Sequence, residues 1–96
     1  IKNKNVDGVM IGPYDLSGSL GIPGDFKNKI YEKACLKIIS LSKKYNKSCG
    51  TQIANISKEL INYNHKLGFN FIVLASDLFV LTDWAKNTNK IIQKLK

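Results

Sequence analysis

The chain has 96 residues, 15 lysines and no arginine, seven acidic residues and a formal charge of +8. That length suits one small domain, and no apolar run reaches the roughly 18 residues that a membrane span needs. The lysines are spread over nearly every segment. Specific readers of nucleic acid rely on arginine for bidentate contacts, so the charge reads as a solvated surface and no nucleic-acid partner is expected. Two cysteines, Cys35 and Cys49, make neither a disulfide framework nor a zinc site; they read as small buried thiols in a reducing cytoplasm. The first residues, Ile1-Lys2-Asn3-Lys4-Asn5, have no signal-peptide core behind them. They also lack an initiator methionine, so processing or a missing earlier part of the gene product are both open.

Strand and helix alternate along the chain. Residues 6–11 (VDGVMI) form a short apolar run that stops at Gly12-Pro13, the pattern of a buried strand. Residues 12–24 are rich in Gly, Pro and Ser and read as a loop with a helical turn near Leu16 to Leu20. Asp25 suits an N-cap, and a helix is predicted over 26–45. Its expected buried stripe is Phe26, Ile30, Ala34, Ile38, Leu41 and Tyr45, at spacings of three and four. Asn46-Lys47-Ser48 breaks that helix.

A second strand is predicted over 49–54 (CGTQIA). Ser57 can cap the next helix, 57–67, with Ile56 and Ile61 as a hydrophobic staple. Leu60, Ile61 and Leu67 are expected to face inward, and Gly68 ends the helix as a left-handed C′ residue. The third strand is 69–75 (FNFIVLA), and a last helix covers 78–95 with apolar positions Leu78, Leu81, Ala85, Ile92 and Leu95. Asp77 suits its N-cap. Three strand–helix units with short connections imply parallel strands. Three such strands leave both sheet edges open and need cover on both faces. The chain therefore reads as part of a larger α/β domain.

The chemistry-bearing segment is Asp7 to Gly24, DGVMIGPYDLSGSLGIPG. Asp15 follows the C-terminal end of a strand, where parallel α/β folds bind ligands. A carboxylate there suits a hard divalent cation; equally, it can cap the short turn through Ser17. No second carboxylate stands near it in sequence.

This segment resembles the sixth-strand signature of the HpcH/HpaI aldolase/citrate lyase family, a G-P-x-D-L-S core followed by a Gly-x-Pro-Gly turn. VLASDL, Val73 to Leu78, is similar to the family's last strand and its small-Ser-Asp turn. The resemblance covers essentially the whole chain and implies the C-terminal three βα units of a (β/α)8 TIM barrel of the phosphoenolpyruvate/pyruvate type. It implies a carbon–carbon lyase, a class II aldolase that cleaves a 2-oxo-hydroxy acid to pyruvate and an aldehyde with a divalent cation (Mg²⁺, Mn²⁺ or Co²⁺). By the same resemblance Asp15 is a metal ligand, Tyr14 offers its backbone amide to the pyruvate carboxylate, and Gln52 lies near bound substrate. A buried structural Gln is the other reading of position 52.

The resemblance places the second carboxylate ligand, a histidine base and an arginine upstream of Ile1. No catalytic side chain is assigned here, and the one histidine, His65, reads as a surface residue. The resemblance also implies a homo-oligomer that exchanges the last helix, and a fragment that is inactive alone. Relatives on the same scaffold make citrate or cleave acyl-CoA compounds, and a non-enzymatic basic module is the remaining alternative.

Overall fold

The computed structural model describes residues 1–96. Its elements, in order, are β1 (Gly8–Ile11), α1 (Pro13–Ser19), α2 (Lys29–Lys44), β2 (Ser48–Ile53), α3 (Lys58–Leu67), β3 (Phe71–Leu74) and α4 (Asp77–Lys94). The three strands form one parallel sheet in the order β1-β2-β3. Ile11 sits opposite Thr51, and Gly50 opposite Phe71.

Side-chain alternation along the strands sorts the two faces. Ile11 and Cys49 turn toward α2 and join Tyr31, Cys35, Ile39 and Phe69 in the core. Met10, Gly50, Gln52, Phe71 and Val73 alternate with that set and belong to the other face. Met10 is 48% exposed, and Phe71 and Val73 are each 39% exposed. Apolar side chains thus occupy both faces while helices cover only one, the pattern of a sheet that is covered on both sides in a larger fold. Gly50 is buried although it has no side chain. The Phe71 ring lies over it, so close that a Cβ at position 50 would overlap the ring.

Several local expectations are corrected. The long helix starts at Lys29, and its N-cap is Asn28 rather than Asp25, with the Asn28 side chain accepting from the Ile30 amide at 3.0 Å. Phe26 is held out of the helix by aromatic packing, its ring 5.0 Å from that of Tyr14 and 5.4 Å from that of Tyr31. The buried stripe is correspondingly Tyr31, Cys35, Ile39 and Ser42, one residue on from the predicted one; Ile30 is 55% exposed. Ser42 is tolerated inside because its hydroxyl donates to the Ile38 carbonyl at 2.8 Å. The glycine-rich loop contains a full short helix opened by Pro13, which loses nothing at N1 because that N–H has no helical partner. Strands β1 and β3 are shorter than predicted. The last helix is capped by Ser76, which accepts from the Phe79 amide, and Asp77 is its first residue rather than its cap. Ser57 caps α3, and Gly68 closes it at φ 120°.

α4 projects from the rest. None of its residues is buried, and Leu78, Leu81, Trp84, Ile91 and Leu95 are 63–83% exposed. The radius of gyration is 16.4 Å, against about 12–13 Å for a compact domain of this length. No helix is long and apolar enough to cross a membrane.

Candidate active site

The C-terminal ends of the strands gather the residues of interest. Asp15 is the third residue of α1 and is solvent-exposed. Its carboxylate curls back over the preceding turn: a Cβ built on Gly12 would lie 2.8 Å from Asp15 Oδ2. Gly12 has φ −83° and ψ 110°, a conformation open to any residue. A side chain at position 12 would therefore make the tip of that carboxylate shift.

The same turn leaves backbone donors open. Of the four helices, α1 alone has no side-chain N-cap, because its cap residue is Gly12. The Tyr14 N–H belongs to the first-turn donors that an α-helix leaves without an internal partner. Ser17 then fixes the loop. It is fully buried, its hydroxyl donates to the Tyr14 carbonyl at 3.2 Å and accepts from the Gly24 amide at 3.0 Å. The serine of the G-P-x-D-L-S string thus ties the Gly-x-Pro-Gly turn to α1, which holds Asp15 on a supported element.

β2 supplies the next wall. Thr51 and Gln52 diverge, as strand alternation requires. Thr51 is buried, its hydroxyl 3.4 Å from the Ile11 carbonyl. Gln52 donates through Nε2 to the Ala75 carbonyl at 3.0 Å. Ala75 is a buried non-glycine residue at φ 56°, and its own amide donates to Ile53 at 2.7 Å. Gln52 therefore clamps the strained β3–α4 turn, and the sequence gives no hint of that role because the partner lies 23 residues away.

Beside these residues a cleft of about 200 Å³ opens between α1, α2, α3 and the end of β2, lined by Tyr14 and Gln52 among others. Sequence reading missed its aromatic walls, Phe26, Tyr31, Tyr63 and Phe79, which come from four separate segments. Tyr63 donates to Glu32 Oε2 at 2.7 Å. Burial, together with the adjoining Glu32 carboxylate, pushes the Tyr63 hydroxyl up to about 12. Burial likewise raises Tyr31, Cys35 and Cys49. His65 is exposed in the last turn of α3, away from this end of the sheet.

Nowhere do three His, Cys, Asp or Glu side chains come together. These residues hold no complete cation site. Asp15 carries the kind of hard oxygen donor that such a site uses.

No family model matches the chain. Among curated proteins it is 33% identical over 73 residues to a hydroxypyruvate/pyruvate aldolase of Paraburkholderia phytofirmans, covering 76% of this chain and 27% of that protein. It is 31% identical over 75 residues to a 5-keto-4-deoxy-D-glucarate aldolase of Salmonella paratyphi C, covering 78% of this chain and 28% of that protein. The chain thus spans less than a third of the relatives it matches. Among solved structures, an HpcH/HpaI aldolase from Desulfitobacterium hafniense superposes with a TM-score of 0.84 at 22% identity, covering 97% of this chain and 36% of the other. An HpcH/HpaI aldolase/citrate lyase family protein from Burkholderia cenocepacia gives 0.80 at 21% identity, with 94% and 34% covered. The citrate synthase SbnG gives 0.75 at 18% identity, with 97% and 38% covered. The three βα units match an arc of the (β/α)8-barrel fold of these aldolase structures.

Proposed function

Because the chain belongs with the HpcH/HpaI aldolases, we propose that it supplies the pyruvate-binding loop and one metal ligand of a divalent-cation-dependent aldolase. The reaction is the reversible cleavage of a 2-oxo-hydroxy acid to pyruvate and an aldehyde. The single observation that carries the reading is the α1 turn, where a carboxylate and uncapped backbone donors stand side by side at the mouth of a parallel sheet.

In this reading Asp15 is a ligand to Mg²⁺, Mn²⁺ or Co²⁺. When bound, the cation supplies charge stabilisation for the oxyanion that develops on the 2-oxo acid. The Tyr14 N–H and its first-turn neighbours receive the pyruvate carboxylate, as helix N-termini receive anions. Ser17 keeps both groups in register by pinning the loop behind them. In cleavage, the bond between the pyruvyl methylene and the hydroxyl-bearing carbon breaks. The hydroxyl proton leaves as the aldehyde forms, and a proton is added to the new pyruvate methyl. In this reading the base and the second carboxylate ligand are assigned to polypeptide upstream. The chain alone is then inactive and forms the C-terminal part of a cytoplasmic barrel enzyme. The exposed apolar side of α4 is covered by a second copy in a homo-oligomer with exchanged last helices.

Citrate formation or acyl-CoA cleavage on the same scaffold is the other reading, since fold does not choose chemistry. The sequence relatives favour aldol chemistry. The test is retro-aldol turnover by the complete encoded polypeptide with and without divalent cation. Cation-dependent release of pyruvate supports the reading, and turnover insensitive to chelator would overturn it.

A further inference from the structure

We infer that Phe26 is a positioning residue: its ring, set between Tyr14 and Tyr31, braces the first turn of α1 and so holds Asp15 in place for its cation. This rests on the aldolase reading above and extends the site to a side chain that acts only through its neighbours.

α1 is supported unevenly. Its far half is tied down. The Ile22 amide donates to the Ser17 carbonyl at 2.9 Å, the Gly24 amide donates to the buried Ser17 hydroxyl at 3.0 Å, and Leu16, Leu20 and Ile22 pack against the core. The first turn has no side-chain cap, and Tyr14 and Asp15 are both exposed. Its support is a chain of rings. Tyr14 meets Phe26 edge to face, with centroids 5.0 Å apart and planes at 78°, and Phe26 meets Tyr31 at 5.4 Å. Tyr31 is buried in the core on α2, so the rings link an exposed turn to a fixed point. Aromatic pairs have preferred approaches, and the contact therefore restrains orientation as well as distance.

The local backbone holds Phe26 to this task. Asp25 and Lys27 are exposed, while Phe26 between them is half-buried. Its amide donates to the Gly24 carbonyl at 3.1 Å. Asn28, the cap of α2, donates through Nδ2 to Asp25 Oδ2 at 3.2 Å, closing the segment across Phe26. Without a ring at position 26, the turn that carries Asp15 loses its link to α2 while the Ser17 anchor stays. The defect in the site should then exceed the defect in the fold.

The test uses the complete encoded polypeptide with Mn²⁺ as the probe cation. Phe26→Leu keeps an apolar side chain without the ring, and Phe26→Tyr keeps the ring. Tyr14→Leu breaks the same pair from a position 57% exposed, where loss of folding is not at issue. Ile39→Val thins the core on α2 away from the rings. Electron paramagnetic resonance reads Mn²⁺ affinity without substrate, steady-state kinetics reads retro-aldol cleavage, and melting without cation reads stability. A misplacement of about 1 Å costs about a hundredfold in rate, so a turn freed on one side should cost Phe26→Leu about fivefold in Mn²⁺ affinity and in kcat/KM. Tyr14→Leu should match that loss, and the double variant should lose no more than either alone. Phe26→Tyr should behave as the parent, and Ile39→Val should lower the melting temperature with Mn²⁺ affinity unchanged. Parent-like Mn²⁺ affinity in folded Phe26→Leu or in Tyr14→Leu overturns the inference, as does additive loss in the double variant or an equal loss in Ile39→Val. Mn²⁺ binding that weakens in both single variants, in a parent that makes and breaks no carbon–carbon bond, sinks the aldolase reading and upholds the brace. Cation-dependent cleavage that both variants leave unchanged sinks the brace and upholds the aldolase. A parent that binds no Mn²⁺ sinks both.

Discussion

Gly12→Ala separates the site from the fold. The new methyl would stand 2.8 Å from Asp15 Oδ2, while its distances to Asp15 Cγ and Cβ, 3.5 and 3.7 Å, are ordinary contacts. Only the tip of the carboxylate is struck, and it has to retreat by roughly half an ångström to reach ordinary contact. The backbone at position 12, φ −83° and ψ 110°, accepts alanine without strain, and Gly→Ala at a permitted conformation stabilises by about 0.4–1 kcal/mol through the unfolded chain. The variant should melt at the same temperature as the parent or slightly above. Misplacing a reacting group by about 1 Å costs about a hundredfold in rate, so a shift of roughly half that should lower kcat/KM for retro-aldol cleavage by about tenfold and weaken cation binding. Thermal melts and steady-state kinetics across cation concentrations read both quantities. Full activity at unchanged cation affinity would refute the placement of the carboxylate; a large loss of stability would refute the claim that only the tip of the carboxylate is struck.

Three further outcomes are expected. Gln52→Ala removes the donor to the Ala75 carbonyl and should destabilise by about 1 kcal/mol; Ala75→Gly, which relieves the positive φ, should return much of that in the double variant, and denaturant midpoints showing no recovery would contradict the clamp. Cys35 and Cys49 are raised above 9.0, and Tyr63 is pushed up from 10.0 to about 12. The folded chain keeps protons that the unfolded chain releases first, so stability should be level below a pH of about 9 and fall as pH rises beyond it; a denaturant midpoint that stays constant through that alkaline range would count against this burial. Leu81, 64% exposed on α4, should matter for association, so Leu81→Glu should shift sedimentation toward the monomer, and a parent protein that is already monomeric at every concentration would remove the second copy from the account.

The strand–helix alternation was legible because apolar runs, Gly-Pro punctuation and serine caps are local signals. The parallel sheet followed from the connections. Helix boundaries were less legible where distant packing decides them. Phe26 reads as the first apolar residue of a helix, yet its ring is drawn to Tyr14 and Tyr31, which delays the helix to Lys29 and turns the buried stripe by one position. Asp15 stood out because a conspicuous turn precedes it. Its closeness to Gly12 did not, since only the folded turn brings the carboxylate over that Cα. Gln52 was picked for its place on the strand, but its hydrogen bond to Ala75 depends on strand pairing across 23 residues. The aromatic cleft had no sequence signature, because its rings belong to segments with no shared periodicity.

The most direct measurement is retro-aldol turnover and cation affinity of the complete encoded polypeptide with Asp15→Asn beside the parent. The amide keeps the size of the side chain and removes its charge. Loss of cation-dependent pyruvate release by about a hundredfold or more, with an unchanged melting temperature in the absence of cation, is the expected result. Parent-like turnover and cation affinity in the asparagine variant would contradict the assignment of Asp15 as a ligand.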